Sequence, residues 1–214
     1  MIEPDALAAE DIYCKYLDAF KHLWGMPNPV ARKLGVLGNE LFEAEFAVHG
    51  PAAYNTSVIM PIRNAAFNRH FILRRHDRFL GHEYLQPPIL DYGCGVGFQL
   101  LWLKAMGYKP EDLWGYDLPG PQTKVREHVF AAEGINNGIP PNPGSILCFH
   151  VLEHLVDPWP TLAYLRSLGG LLYASCVDEP GHGHLIGSEQ AAAVVADLKK
   201  QGNYVNDYWR PGTE

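Results

Sequence analysis

The sequence predicts a three-layer α/β fold in which helices cover both faces of a parallel sheet. From residue 88 onward, short apolar runs alternate with helical patterns, and the connections between them are short. Such an alternation favours parallel pairing through right-handed crossovers. The clearest unit is the run Ile89–Leu90, which is followed by a glycine loop and then by a helical pattern over 99–106. A second apolar run, Leu113–Leu118, comes after that helix.

The loop after the first predicted strand reads D-Y-G-C-G-V-G, from Asp91 to Gly97. Glycine adopts backbone angles that a Cβ forbids, so Gly93, Gly95 and Gly97 let the main chain approach a ligand closely. The loop opens onto a helix N-terminus, whose N–H groups and dipole attract negative charge. The spacing is one residue shorter than the G-x-G-x-x-G dinucleotide fingerprint. A nicotinamide cofactor is therefore the weaker interpretation of the loop.

Asp117 ends the second apolar run, twenty residues after Gly97. A carboxylate at the carboxyl end of a parallel strand can accept both hydroxyls of a ribose that lies across the strand ends. The sequence therefore predicts a ribose-bearing cofactor beside the glycine loop.

At this point the chain resembles the class I S-adenosylmethionine-dependent methyltransferases. Asp91–Gly97 is similar to their motif I, Asp117 to the acidic residue of motif II, and Phe149–Pro158 to their segment after the fourth strand. The resemblance spans residues 87–176. It implies a Rossmann-like sheet of seven strands, S-adenosyl-L-methionine as the cofactor and direct transfer of a methyl group. The predicted cofactor-binding residues are Asp91, Gly93, Cys94, Gly95, Gly97, Asp117, Leu118, Phe149 and His150.

Composition restricts the partners. The 214 residues carry a formal net charge of −7, which argues against a nucleic-acid partner because phosphate neutralisation needs a basic face. No stretch approaches the ~20 apolar residues of a membrane span, and no basic region precedes an apolar one at the start. We expect a cytoplasmic protein. The cysteines are expected to be reduced structural thiols: Cys14, Cys94, Cys148 and Cys176.

The chain is predicted to divide into a helical N-terminal cap, 1–86, and an S-adenosylmethionine-binding core, 87–214. Patterns in the cap predict helices over 5–24 and 41–48, a turn over 26–29, and a helix from Pro61 past Phe79. Residues 61–82 form the one basic stretch of this acidic chain. Two interpretations stay open for that stretch: a solvated helix face, or a wall that recognises an anionic acceptor.

Patterns in the rest of the core predict helices over 123–133, 159–168 and 188–200, the last capped by Ser188, and strands over 145–149 and 171–177. The third strand is expected to be abbreviated because Gly134–Gly144 is a turn-forming stretch. Either that strand is missing, or Asn136 or Asn137 supplies the adenine contact that an acidic residue makes in the family. The C-terminal hairpin is expected to shrink to one strand over 204–209.

His150 is the candidate catalytic residue. At the tip of the fourth strand its imidazole would face the bound sulfonium, and a histidine pKa near 6.5 suits a base at neutral pH. The alternative is a positional role through its backbone. Glu153 and His154 are expected to fix the turn by hydrogen bonding.

His150–His154 reads H-V-L-E-H, which also matches a zinc-peptidase signature. That class needs a longer helix and a third ligand, so we predict no metal. Among the loop histidines, His182 and His184 could approach the same region, but solvent exposure is the simpler expectation for them.

No N-P-P-[YFW] tetrad follows the fourth predicted strand, where F-H-V-L stands instead. Its absence favours a small-molecule acceptor, with transfer to N, O or C left open. Two other functions remain as alternatives: a catalytically silent module that binds the cofactor or a partner, and a nicotinamide-dependent oxidoreductase.

Overall fold

The computed structural model of the protein describes residues 28–49, 85–119, 123–177 and 184–205. Several sequence predictions lie outside these residues: the helix over 5–24, the helix and basic stretch over 61–82, the loop histidine His182 and the strand residues 206–209.

A five-stranded parallel sheet forms the centre of the described chain. Its strands are β1 Ile89–Tyr92, β2 Leu113–Tyr116, β3 Asn136–Asn137, β4 Ser145–Cys148 and β5 Leu171–Ala174. They lie in the order β3-β2-β1-β4-β5, and every neighbouring pair is parallel. From β1 the chain proceeds outward to β2 and β3, and it then returns to place β4 and β5 on the other side of β1. This change of direction opens a crevice at the carboxyl ends of β1 and β4. The α/β fold is thus confirmed, with five strands in the described residues where the resemblance implied seven.

The helices are α1 Asn28–His49, α2 Phe98–Ala105, α3 Thr123–Glu133, α4 Trp159–Ser167 and α5 Ser188–Lys200, with 3-10 turns at Pro110–Asp112 and Leu152–His154. The predictions for α2 to α5 agree to within about one residue at each end. Ser188 is not the cap of α5, because Gly187 occupies that position without a side-chain bond. Among the described residues, no helix combines the length and the apolar composition that crossing a bilayer requires.

The prediction for α1 needs correction. The helix begins at Asn28, where the sequence suggested a turn, and it is 22 residues long instead of the eight predicted over 41–48. Pro29 suits this start, because the first turn of a helix tolerates a residue without an N–H.

Each face of the sheet has its own apolar core. Neighbouring residues of a strand point to opposite faces, so Ile89 and Leu147 join one core while Leu90 and Ile146 join the other, all four fully buried. The first core includes residues of α2 and α3 together with Phe42 of α1, and the second includes residues of α4 and α5. Three layers follow directly from this alternation.

The edge strand β3 is two residues long and pairs with Trp114 and Gly115 of β2. The side-chain amide of Asn136 donates to the carbonyl oxygens of Glu111 at 2.8 Å and Leu113 at 3.2 Å. A side chain therefore supplies contacts that a longer strand would make with its backbone, and the predicted abbreviation of the third strand is confirmed.

Beyond β5, Tyr204 forms a single parallel bridge with Ala174. The Ala174 N–H donates to Asn203 O and the Val205 N–H donates to Ala174 O, both at 2.8 Å. Of the strand predicted over 204–209, the described residues show only this bridge, and residues 206–209 lie outside them.

Candidate active site

The glycine loop after β1 folds against the end of β2. The Gly93 N–H donates to Tyr116 O at 2.7 Å. Gly93, Gly95 and Gly97 have φ angles of 79°, 57° and 92°, in the left-handed region that favours glycine. A Cβ at Gly93 would also collide with the side chain of Val151, in the segment that follows β4. The loop thus depends on glycine both for its conformation and for its close contact with the segment that follows β4.

Asp117 lies directly after β2, and its Oδ2 accepts the Gly95 N–H at 2.7 Å. This bond ties the carboxylate to the glycine loop. A carboxylate has two oxygens and about four lone-pair sites, so it can accept further hydroxyl donors. Arg126 of α3, 4% exposed, donates from Nη2 to the Asp117 carbonyl oxygen at 3.4 Å and places a positive charge behind this residue.

A pocket of about 210 Å³ opens at the carboxyl ends of β1, β2 and β4. It is lined by Tyr92, Gly93, Tyr116, Asp117, Leu118, His150, Val151, His154 and Leu155. Gly93, Asp117, Leu118 and His150 are among the residues that the sequence predicted for cofactor binding. The pocket lies where open α/β sheets generally bind their ligands.

The other five predicted site residues do not line this pocket. Asp91 and Phe149 are buried, at 5% and 7% exposure, and Phe149 belongs to the first apolar core. Gly95 and Gly97 shape the loop, and Cys94 lies within it. We infer that Asp91 and Phe149 support the pocket wall from the protein interior.

The Cys94 thiol is held in its neutral form. Burial raises the pKa of Cys94 well above its ordinary value, and the negative charges of Asp91 and Asp117 raise it further. Cys94, Cys148 and Cys176 are free cysteines, as the sequence predicted for these three.

Sequence analysis missed five lining residues. Tyr92 and Tyr116 end β1 and β2, and their ring centroids are 5.1 Å apart. Burial is the largest cause that raises the pKa of Tyr92, with Tyr116 next, so its hydroxyl is a neutral donor. The last position of each predicted strand would have been the signal for both tyrosines. Val151, His154 and Leu155 lie in the segment after β4. The resemblance and the H-x-x-E-H signature both drew attention to this segment, but neither indicated that these three residues line a pocket.

His150 has an unusual backbone conformation, with φ of 55°. Such strain costs roughly 1–3 kcal/mol at a residue other than glycine and is concentrated at functional sites. Its N–H donates to Ser175 Oγ at 3.4 Å, and its Nδ1 lies 3.4 Å from Glu153 Oε1. The imidazole is 22% exposed and stands in the pocket wall.

The segment after His150 is a 3-10 turn of three residues, Leu152–His154. Peptidases with the H-x-x-E-H signature carry both histidines on one face of a helix. The turn does not provide such a helix, so the geometry does not support the peptidase alternative.

These features define a class of protein. A parallel α/β sheet with a glycine loop after β1, a carboxylate after β2 and a pocket at the switch point is a Rossmann-like cofactor-binding fold. A family model described as a methyltransferase domain matches residues 65–211, more than half of the chain. The chain belongs to this methyltransferase family, which confirms the class that the three sequence motifs predicted.

Among solved structures, the chain is similar to the plantazolicin methyltransferase BamL, crystallised in complex with a triazolic desmethylPZN analog and SAH. The two chains are 14% identical with a TM-score of 0.48, and the match covers 82% of this chain and 77% of BamL. No curated protein sequence matches the chain.

Methyltransferases of this family use S-adenosylmethionine, and the described residues fit that cofactor. The positive-φ glycines leave no side chain between the loop and a ligand, and Asp117 can accept hydroxyl donors at the pocket. The family assignment favours methyl transfer over the nicotinamide-dependent alternative.

Proposed function

We propose that the protein methylates a small-molecule acceptor that enters the pocket beside His150. The observation that carries this proposal is the meeting of Gly93, Asp117 and His150 at one pocket, although they follow three different strands. In a methyltransferase, such a pocket has to hold the donor and admit the acceptor.

The glycine loop and Asp117 are the proposed cofactor contacts. Gly93 to Gly97 would face the amino-acid portion of S-adenosylmethionine, and Asp117 would accept the ribose hydroxyls. Leu118 is 58% exposed beyond Asp117 and would cover the adenine side. Because the Asn136 amide holds the edge of the sheet, Asn137 is the remaining candidate for the adenine contact.

Catalysis would rest mainly on alignment. The bound cofactor supplies a methyl group already activated on a sulfonium, so the protein has to orient the acceptor and, where the acceptor loses a proton, to accept that proton. His150 is the proposed base. Its Nδ1 lies 3.4 Å from Glu153 Oε1, and the residue lines the pocket.

The division at residue 87 is part of the proposal, with residues 1–86 as a helical cap over the core. Phe42 of α1 supports it, because this side chain is 3% exposed and belongs to the same apolar core as Ile89. In this proposal α1 would be a cap helix that an aromatic side chain anchors on the core. The basic stretch over 61–82 would then contribute to recognition of an anionic acceptor.

A cytoplasmic location is proposed as well. The described cysteines Cys94, Cys148 and Cys176 are free, and the cytosol keeps thiols reduced. The formal charge of −7 agrees with a small-molecule acceptor and not with nucleic acid.

Incubation with S-adenosylmethionine carrying a labelled methyl group and a cell-metabolite extract tests the proposal. A labelled small molecule detected by mass spectrometry is the expected result. Calorimetry with S-adenosylhomocysteine, run in parallel, separates the alternatives. Binding without any labelled product from broad extracts would favour the catalytically silent module, and no binding would contradict the cofactor site.

A further inference from the structure

The carboxylate of Glu153 lies in an unusual environment. Its side chain is 1% exposed, and both carboxylate oxygens are buried without accepting a hydrogen bond from the described part of the chain. A buried ionised carboxylate is costly unless a cation or hydrogen-bond donors compensate it. His150 Nδ1 lies 3.4 Å from one of these oxygens, so a further cation that approaches the carboxylate would share it with His150.

Besides His150, two histidines come close to this carboxylate. One ligand atom from each of Glu153, His154 and His184 lies within 4.8 Å of the other two. The rings of His154 and His184 are 5.1 Å apart between centroids, in an edge-to-face arrangement. We call these three residues the Glu153 cluster.

The backbone places His184 in this cluster. The N–H of the next residue, Leu185, donates to the Glu153 carbonyl oxygen at 2.8 Å. This bond joins the segment that precedes α5 to the 3-10 turn after β4. The cluster thus unites residues 30 positions apart in the chain, and no short sequence motif contains it.

Two imidazoles and one carboxylate are a common ligand set for zinc. Sites with three protein ligands leave a coordination position for water or substrate, whereas closed structural sites use four. Metal–ligand distances at such sites are about 2.0–2.2 Å, and the three ligand atoms of the Glu153 cluster lie within 4.8 Å of one another. His154 also lines the pocket, so an ion held here would lie at the pocket wall.

We propose that Glu153, His154 and His184 bind a divalent first-row transition metal ion, with Zn²⁺ as the best match to their chemistry. The ion would compensate the buried carboxylate and hold an oxygen or nitrogen of the acceptor at its open position. The sequence had predicted no metal, because the peptidase class needs a longer helix and a third ligand, and because His184 was expected to be solvated. The site uses the Glu153 cluster and not the paired histidines His150 and His154 of the peptidase signature.

The test is Zn²⁺ binding by calorimetry to tag-free protein stripped of metal by a chelator, with no methyl donor or acceptor present. Wild-type protein should bind a single Zn²⁺ with an affinity that falls at least about tenfold in both His154→Gln and His184→Gln, since even partners of metal ligands contribute about 10–100-fold. His49→Gln is the matched control, because His49 is exposed at the end of α1, and its affinity should equal that of the wild type.

Several outcomes would overturn the proposal: no binding by the wild type, unchanged affinity in either histidine variant, or an equal loss in the control. Glu153→Gln is a second probe, and its circular dichroism spectrum shows whether the buried change is tolerated. If it folds, it should lose Zn²⁺ affinity like the histidine variants, and unchanged affinity would count against the site. Because Zn²⁺ binding is measured without S-adenosylmethionine, its failure leaves the proposed methyl transfer standing.

Discussion

At the scale of single residues, Asp117 has two tasks at one carboxylate. Its Oδ2 accepts the Gly95 N–H at 2.7 Å, and the side chain lines the pocket. The first task stabilises the glycine loop, and the second is the proposed contact with the ribose. A substitution at this position therefore affects both the shape of the loop and the cofactor.

Replacing Asp117 by Asn separates these tasks in part, because the amide keeps an acceptor oxygen but loses the charge. We expect Asp117→Asn to weaken S-adenosylhomocysteine binding by about 1–3 kcal/mol, the usual value of hydrogen bonds to a charged group. Calorimetry measures this change. Asp157→Asn is the control, because Asp157 is exposed and bonds to the Trp159 N–H. Equal affinities in both variants would remove Asp117 from the site.

His150 offers a second test at this scale. His150→Asn removes the imidazole but keeps a residue type that tolerates positive φ, so the loop conformation should survive. If His150 is the general base, kcat should fall by ~10²-fold or more while the affinity for S-adenosylhomocysteine stays unchanged. Steady-state kinetics with the identified acceptor measures the loss. A change of less than about threefold would leave His150 with a positional role.

At the scale of elements, packing between α3 and the sheet determines the geometry of the glycine loop. Phe130 of α3 is 1% exposed and fills the space that a Cβ at Gly97 or Gly115 would need. The helix can thus lie close to β2 and the loop. Arg126, one turn earlier on the same helix, reaches the Asp117 carbonyl oxygen.

The short strand β3 depends on one side chain, which gives an element-scale prediction. Asn136→Asp replaces an amide donor by a carboxylate that faces the carbonyl oxygens of Glu111 and Leu113. We expect a loss of about 1–3 kcal/mol in the free energy of unfolding, because two bonds disappear and two carbonyls lose a donor. Urea denaturation measures it.

Asn137→Asp is the matched control for this prediction, since Asn137 is exposed in the same strand. Its effect should stay within about 0.5 kcal/mol. Equal losses in the two variants would mean that added charge, and not the Asn136 bonds, explains the result.

At the scale of the whole molecule, the two cores on either side of the sheet give two thiols a measurable effect: Cys148 is buried in the second core, and the half-buried Cys94 packs against the first. Burial is the first cause that raises the pKa of both Cys94 and Cys148 well above the ordinary value of 9.0. Above that pH the unfolded chain loses thiol protons that the folded chain keeps. The unfolded state then gains free energy of ionisation, and stability falls.

We expect this loss to reach up to about 1.4 kcal/mol per thiol for each pH unit above 9, until the folded thiols ionise too. Below pH 9 the two thiols should contribute no pH dependence. Denaturation curves between pH 8 and about 10.5 measure the slope. The Cys94→Ala/Cys148→Ala double variant should show a shallower slope, and identical slopes would refute the assignment.

Much of this architecture could be predicted from local pattern. The predicted strands that begin at Ile89, Leu113 and Ser145 are parallel strands of the sheet. The helix Thr123–Glu133 has the bounds that its periodicity predicted. Two errors had local causes. Gly35 and Gly38 interrupt the helical pattern of α1, and the rule that a polar residue caps a helix failed at Ser188, where Gly187 occupies the cap.

By itself, the sequence determined the fold class, the methyltransferase family and the order of strand, glycine loop and carboxylate, because hydrophobic period, glycine spacing and chain order are local properties. Only the tertiary structure decided which side chains share the pocket. It brought Tyr92 beside Tyr116, and it placed His184 close to Glu153 and His154. It also showed that the Asn136 amide donates a hydrogen bond at the sheet edge. Each of these contacts joins segments that are distant along the chain. Their positions depend on how the strands pair and how the connecting segments pack, which no local pattern in the sequence specifies.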